Sequence, residues 1–254
     1  MDPAAKVAVV TGGNSGLGEA AARKLAESGA AVVTLDRGGS APDGATTVAC
    51  DVSDAASVAA AVAQVVDRHG KIDILLNNAG IGGVGPIATP EGPGDLAAFR
   101  QVIEVNLLGA MTVAAEVAHR MIGNAPDGPD GERGVIVNTC SIASFEGQEG
   151  MSAYTATKSA LAALTLVWAR DLSRHGIRVM GIAPGFMETP MVSFLPDDFV
   201  AELLKDAEFP KRAGRADEFA SVADFIIRTP LLNGEVIRLD AGTRPPARTR
   251  WSAG

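Results

Sequence analysis

The stretch from Lys6 to Asp36 limits the fold of this chain more than any other. KVAVVT (6–11) is an unbroken apolar run with β-branched residues, as expected of a strand buried on both faces of a sheet. TGGNSGLG (11–18) follows directly, then EAAARKLAESG (19–29), which is alanine-rich, helix-favouring and closed by Gly29. AAVVTLD (30–36) reads as a second buried strand ending in an acid. Strand, glycine turn, helix and strand in that order make one βαβ unit.

The same rhythm runs to the end of the chain. Strands are predicted at TTVAC (46–50), IDILLNN (72–78), GVIVNTC (134–140), IRVMGIA (177–183) and GEVIRLD (234–240). Helices are predicted over 54–69, 95–122, 151–174 and 216–228. Such alternation predicts an α/β fold, a Rossmann-type doubly wound parallel sheet of seven strands, and 254 residues suit one domain spanning 1–254. The Gly/Pro-rich stretches 82–94 and 123–134 read as surface loops, and TRPPARTRWSAG (243–254) as a basic, loose tail.

Glycines 12, 16 and 18 allow a tight turn and bring backbone close to a pyrophosphate at the positive end of the following helix. Asp36 stands where a carboxylate grips the adenosine ribose hydroxyls and repels a 2′-phosphate. Arg37 would favour that phosphate, but Asn14 places no cation inside the turn. NAD is therefore expected over NADP.

A second constellation carries proton chemistry. Tyr154 and Lys158 are four apart on a predicted helix and so are neighbours on one face. A nearby cation stabilises phenolate, in a residue type that titrates at about 10 in isolation. Such a tyrosine takes a proton from an alcohol or returns one to a carbonyl. Ser141, where a strand runs out, can steady the same oxygen. Tyr154 is the only tyrosine in the chain.

Composition narrows the remaining classes. A content of 47% hydrophobic and 20% charged residues fits a compact fold and excludes a disordered chain. No apolar run approaches the roughly 20 residues of a membrane span, so no membrane partner is expected. The first strand begins by Lys6, which leaves no room for a leader, and Cys50 and Cys140 sit at buried strand ends, so a cytoplasmic, reducing setting is expected. A net charge of −8 disfavours nucleic acid. His69, His119 and His175 have no ligand spacing, and no metal site is expected. Cys140 has no histidine near it in sequence and reads as core.

The turn spacing is T-G-x-x-x-G-x-G. With Asp51–Val52, the NNAG run at Asn77–Gly80, Asn106, the Ser141/Tyr154/Lys158 set, and Pro184–Gly185 followed by Thr189, the chain resembles the short-chain dehydrogenase/reductase family over essentially its whole length. The stretches FEGQEG, IRVMGIAPG and LLNGEVIRLDAG, and the loop GNAPDGPDGERG, are similar to the type 2 3-hydroxyacyl-CoA dehydrogenases of that family. The resemblance implies strand order 3-2-1-4-5-6-7 and reversible oxidation of a secondary alcohol. The predicted helices 95–122 and 151–174 carry apolar stripes on more than one side, as helices that also pack against another subunit would, so a homotetramer is expected. It implies that Ser141, Tyr154, Lys158 and Asn106 are catalytic, with Asn106 holding a water in a proton relay from Lys158. It implies that Gly12, Ser15, Gly16, Leu17, Gly18, Asp36, Asp51, Val52, Asn78, Ala79, Gly80, Tyr154, Lys158, Pro184, Gly185, Met187 and Thr189 hold NAD. A cysteine would be expected where Asn78 stands, but its role uses backbone.

Substrate contacts are implied for Ser141, Gln148 and Tyr154. Met151, Phe186, Met187, Met191, Phe194 and Leu195 form an apolar set that suits a substrate lid, about 186–213. The substrate implied is a 3-hydroxyacyl-CoA, with Lys205, Lys211, Arg212, Arg215, Arg244, Arg248 and Arg250 as possible phosphate partners. A hydroxysteroid or other apolar alcohol would use the same slot without cations. A catalytically idle NAD-binding module is the alternative from another class, against which the intact Ser141/Tyr154/Lys158/Asn106 set argues.

Overall fold

The computed structural model of the chain describes residues 1–190 and 196–247. Seven strands, β1 (Val7–Thr11), β2 (Ala31–Asp36), β3 (Ala45–Ala49), β4 (Ile74–Asn77), β5 (Gly134–Thr139), β6 (Ile177–Pro184) and β7 (Val236–Leu239), form one sheet in the order 3-2-1-4-5-6-7. Every neighbouring pair in it is parallel. The helices are α1 (Gly16–Glu27), α2 (Ala55–His69), α3 (Leu96–Ile103), α4 (Ala110–Ile122), α5 (Ser152–Ser173), α6 (Asp197–Leu204) and α7 (Ala216–Arg228).

Alternate residues of a strand face opposite sides, so a sheet covered on both sides needs two apolar sets in one run. Val7 and Val9 pack with Val62, Val117 and Met121 of α2 and α4, whereas Ala8 and Val10 pack with Leu25 and Phe219 of α1 and α7. That is why the central strands read as continuous apolar runs. β1 has β2 on one side and β4 on the other, and the chain winds outward in opposite directions from this point. The loops leaving β1 and β4 therefore part and leave a crevice at the strand carboxyl ends.

The predicted helix over 95–122 is broken by a π turn at Glu104–Gly109 between α3 and α4. Asn106 lies within it, and Gly109 packs so closely on Val52 that an added Cβ would lie 2.9 Å from its carbonyl oxygen. An inserted residue of this kind carries no propensity signal. Taken as one helix, Leu96–Ile122 is long and apolar enough on average to cross a membrane, although Arg100, Glu104, Glu116 and Arg120 leave no unbroken apolar run of that length. It is apolar on two sides: Val113, Val117 and Met121 are buried on the sheet, while Ile103, Leu108 and Met111 are exposed. A small hairpin, Ala88–Thr89 with Gly92–Pro93, and α6 inside the expected lid were not foreseen.

The tail expected to be loose is tied down over its described part. Glu149 donates its backbone N–H to Ala247 O at 2.9 Å, and Gln148 Nε2 donates to Pro246 O at 3.2 Å. Local composition cannot foresee these long-range bonds.

Arg178 on β6 closes the far end of α7. Its guanidinium donates to the carbonyls of Ile226, Ile227, Thr229 and Leu232 and, through Nε, to Glu132 Oε1 at 2.7 Å. The helix's orphan carbonyls are thus met by one buried cation paired to a carboxylate. Arg178→Leu is expected to lower the unfolding free energy by about 1–3 kcal/mol, because Leu232 O loses its donor and Glu132 keeps only the N-terminal ammonium of Met1, 3.1 Å away, as a cationic partner. Urea unfolding followed by circular dichroism measures this.

Candidate active site

Two cavities meet at the carboxyl end of the sheet. The first, about 380 Å³, is the crevice between the loops that follow β1 and β4. Gly12, Ser15, Gly16 and Leu17 line it from the β1 side and Asp36 from β2. Asp51 and Val52 line it after β3, and Asn78, Ala79 and Gly80 after β4. Pro184, Gly185, Met187 and Thr189 close it after β6. Gly18 does not line the crevice. An added Cβ there would lie 2.2 Å from Gly12 O, so its part is to let the turn close on its own helix.

Gly12 (φ +62°) and Gly16 (φ +55°) hold left-handed backbone that side chains disfavour. The turn's bare backbone is the fit a dinucleotide requires, since a Cβ at these positions would obstruct or strain the cradle. Behind it, Thr11 Oγ1 accepts from the N–H groups of both Asn78 and Ala79 at 2.9 Å. Asn78 Nδ2 reaches back to the carbonyls of Thr11 and Gly12, and its Oδ1 accepts from Thr139 Oγ1. The side chain of Asn78 therefore stitches the ends of β1, β4 and β5 together. Sequence reasoning gave it only a backbone role and missed Thr11 and Thr139, whose signal was only their place at strand ends.

Asp36 Oδ2 accepts from the N–H of Asn14 at 3.1 Å, which carries the acid to the rim of the turn. Asn14 is fixed in its turn by hydroxyls of Thr34 and Thr47 on its Oδ1 and by donation to Gly38 O. Arg37 also lines the crevice. Asp51 accepts from the hydroxyl and N–H of Ser53, and these bonds hold its carboxyl below the usual range.

Tyr154 and Lys158 lie on α5 as neighbouring turns, with Lys158 Nζ 5.8 Å from the Tyr154 ring centre. Lys158 is buried and donates to Thr139 O at 2.6 Å, a charge-assisted bond that spares the ammonium full desolvation. Asn106 is also buried, and both ends of its amide bind the backbone of Ile81, at 2.8 Å each. An added Cβ on Gly80 would lie 3.3 Å from Asn106 Oδ1 and 3.7 Å from Lys158 Nζ, so the two polar groups border one small space. Ser141 caps a 3₁₀ turn, Ile142–Ser144, accepting from Ala143 N at 3.1 Å. Ser144, not anticipated from the sequence, donates its hydroxyl to Lys158 O at 2.8 Å and accepts from Ser141 N, which locks the Ser141 loop to α5. Burial pushes the neighbouring Cys140 thiol up to about 11, so it stays protonated and inert.

The second cavity, about 940 Å³, shares Ser141, Tyr154, Gly185, Phe186 and Met187 with the first. Gln148 and Met151 line it, with Leu203, Leu204 and Ala207 beyond. Met191, Phe194, Leu195, Arg248 and Arg250 lie outside the described residues. The remaining expected phosphate partners sit mostly beside carboxylates: Lys205 with Glu202, Arg212 with Glu218, Arg215 with Asp217 and Arg244 with Asp240. Lys211 is exposed. Among the described residues no group of His, Cys, Asp and Glu is placed to hold a metal.

Residues 6–198 match the short chain dehydrogenase family. The chain belongs to that family. It is 42% identical to the human 3-hydroxyacyl-CoA dehydrogenase type-2 over 248 residues, covering 94% of this chain and 95% of that one. The Drosophila melanogaster protein of the same name is 41% identical over 250 residues, 94% and 97% of the two chains. Among solved structures, 3-hydroxyacyl-CoA dehydrogenase type-2 from Mycobacterium avium superposes with a TM-score of 0.88 at 36% identity, covering 97% and 98%. The 3-ketoacyl-(acyl-carrier-protein) reductase from Brucella melitensis, complexed with NADH, superposes with a TM-score of 0.79 at 29% identity, covering 94% and 98%. The chain is an oxidoreductase of this family, whose members bind NAD or NADP.

Thr11 is the joint between the two loops that border the dinucleotide crevice. Thr11→Val keeps the shape and removes the acceptor for two N–H groups, each worth about 1–3 kcal/mol when left unmet. Weaker binding of dinucleotide and a lower thermal midpoint are expected together, by fluorescence titration and calorimetry.

Proposed function

We propose that this chain is an NAD-dependent dehydrogenase that interconverts a 3-hydroxyacyl-CoA and its 3-ketoacyl-CoA. The observation that carries this reading is the junction of the two cavities at Ser141 and Tyr154. An alcohol carbon in the apolar cavity would there face the dinucleotide crevice, with its oxygen between two hydroxyls. The names of the relatives support the acyl-CoA class, and the apolar walls suit an acyl chain.

Gly12, Gly16, Asp36 and the backbone of Asn78–Gly80 would hold NAD, which would supply the hydride acceptor. The residues of the chain move the proton. Tyr154 takes the hydroxyl proton during oxidation and returns it during reduction, while Ser141 hydrogen-bonds the same oxygen. Lys158 sets its Nζ beside the Tyr154 ring and would hydrogen-bond the nicotinamide ribose. Asn106 holds Ile81 and with it the small polar space over Gly80, the route proposed for proton exchange with solvent. Asp36 favours ribose hydroxyls and repels a 2′-phosphate, which supports NAD over NADP despite Arg37. Two buried thiols, Cys50 and Cys140, suit a reducing cytoplasmic setting.

Tyr154→Phe is expected to cut acetoacetyl-CoA reduction by about 10²–10⁴-fold, the usual worth of a general acid, and to leave NADH affinity near wild type. Activity retained in that variant removes Tyr154 from the mechanism. Acetoacetyl-CoA should also be reduced faster than acetoacetate. Equal rates would favour a hydroxysteroid or other carrier-free ketone, and silence toward a broad ketone panel the idle module.

The exposed apolar residues Ile103, Leu108 and Met111, with Leu166 and Val167 on α5, are the face proposed to join subunits of a homotetramer. Light scattering should return four chain masses. A single chain mass would overturn the assembly.

A further inference from the structure

We propose that residues 243–247 form a fixed strap across the larger cavity, clamped by a charge cluster around Arg238, and that this clamp sets how bulky a ketone the site accepts. The inference rests on the dehydrogenase reading above. It concerns residues that no part of the proton chemistry uses.

After β7 the chain turns back instead of leaving the surface. Thr243 donates its N–H to Asp240 O at 2.9 Å, is itself buried, and lines the cavity together with Pro245. Arg238 on β7 reaches three segments at once. Its Nε and Nη2 lie 2.7 and 2.6 Å from Asp240 Oδ2, its Nη1 donates to Glu146 Oε1 at 2.7 Å, and Nη2 donates to Thr243 O at 3.2 Å. Arg244 closes the cluster, 3.2 Å from Asp240 and 3.5 Å from Glu146.

Two cations face two carboxylates, so the cluster is neutral as a set. Asp240 is only 7% exposed and Arg238 22%, so the pairing is less screened than a surface ion pair. Arg238 also lies over the Phe145 ring, 5.2 Å from its centre. Glu146 belongs to the loop that starts at Ser141 and leads to the helix of Tyr154. The strap is fastened to this loop again by Gln148 and Glu149, through Pro246 O and Ala247 O.

Adjacent prolines at 245 and 246 fix two φ angles and stiffen the span between the fastenings. The strap is thus one wall of the cavity, with Phe186 and Met187 among the residues lining the rest. Gln148 serves here as a positioning residue, since one of its two amide N–H groups is given to the strap at Pro246 O. Loosening the clamp should widen the cavity without touching the proton-transfer groups.

The test compares wild type with Arg238→Met, which keeps length and loses charge, with Arg238→Lys, and with Gln148→Ala. Amide exchange at Glu149 reads the fastening, and relative kcat/KM for a cyclic ketone against acetoacetyl-CoA, both with NADH, reads selectivity. In Arg238→Met the Glu149 amide should exchange about tenfold faster. Selectivity should move toward the cyclic ketone by about tenfold, through KM, with kcat and NADH affinity within about twofold of wild type. Arg238→Lys should fall between, because lysine keeps the charge and loses the fork. Gln148→Ala should speed the same exchange, and serves if the arginine variants fold poorly.

Faster exchange with unchanged selectivity overturns the proposal, and so does unchanged exchange in every variant. A wild type silent toward both ketones would instead overturn the dehydrogenase reading and, with it, the selectivity claim. Exchange at Glu149 would still decide whether the clamp exists.

Discussion

The bond from Lys158 Nζ to Thr139 O is the contact on which the site depends. A lysine that is 4% exposed has lost nearly all of its water and must find hydrogen-bond acceptors inside the protein. The partner available is the carbonyl at the carboxyl end of β5, where a parallel strand ends with its hydrogen bonds unspent. The bond anchors α5 to the sheet one turn from Tyr154. Through Ser144, which donates to Lys158 O, it also anchors the loop of Ser141. Tyrosine, lysine and serine are therefore placed by one point of attachment. Moving that helix by an ångström would disturb all three.

Much of this could be read from the residues because the rules involved are short-ranged. The run Val7–Val10 announces a strand buried on two sides, and the glycines of the first turn announce backbone that must lie bare. Tyr154 and Lys158 share a helix face at a spacing that geometry dictates. What escaped notice was set by contacts distant in sequence. Asn106 falls within the helix predicted over 95–122, but it sits in a π turn and grips Ile81 from 25 residues away. Asn78 looked replaceable, because no local pattern shows that its amide joins three strand ends. Residues 243–247 looked loose by composition, but their fastenings are on a loop almost 100 residues earlier.

The two cavities differ in how they are built, and on the proposed function this would separate cofactor from substrate. The crevice is lined largely by strand ends and turns, whose positions follow from the sheet. Its shape is accordingly common to the fold. The larger cavity is walled by α6, the strap and the loop after Ser141, none of which the sheet determines directly. Its shape rests on side-chain clamps such as Arg238 with Glu146 and Asp240, which is the basis of the selectivity proposed above. On the proposed function, reaction type would be carried by the sheet, and substrate choice by what is fastened onto it.

Charge around the larger cavity bears on how an acyl-CoA would be held. Arg212 and Glu218 meet in a two-pronged pair at 2.8 and 2.7 Å, and that pairing brings the Glu218 carboxyl down to about 2. The carboxylate stays ionised through any working pH, so the pair presents little net charge to an approaching phosphate. Arg244 is held in the same way by Asp240 and Glu146. A phosphate would have to displace a bound carboxylate at each of these sites, giving up one charge-assisted bond to make another. Lys211, which has no ion pair among the described residues, carries no such penalty. Affinity for the carrier would then come chiefly from the apolar walls, and phosphate contacts would steer approach more than they strengthen binding.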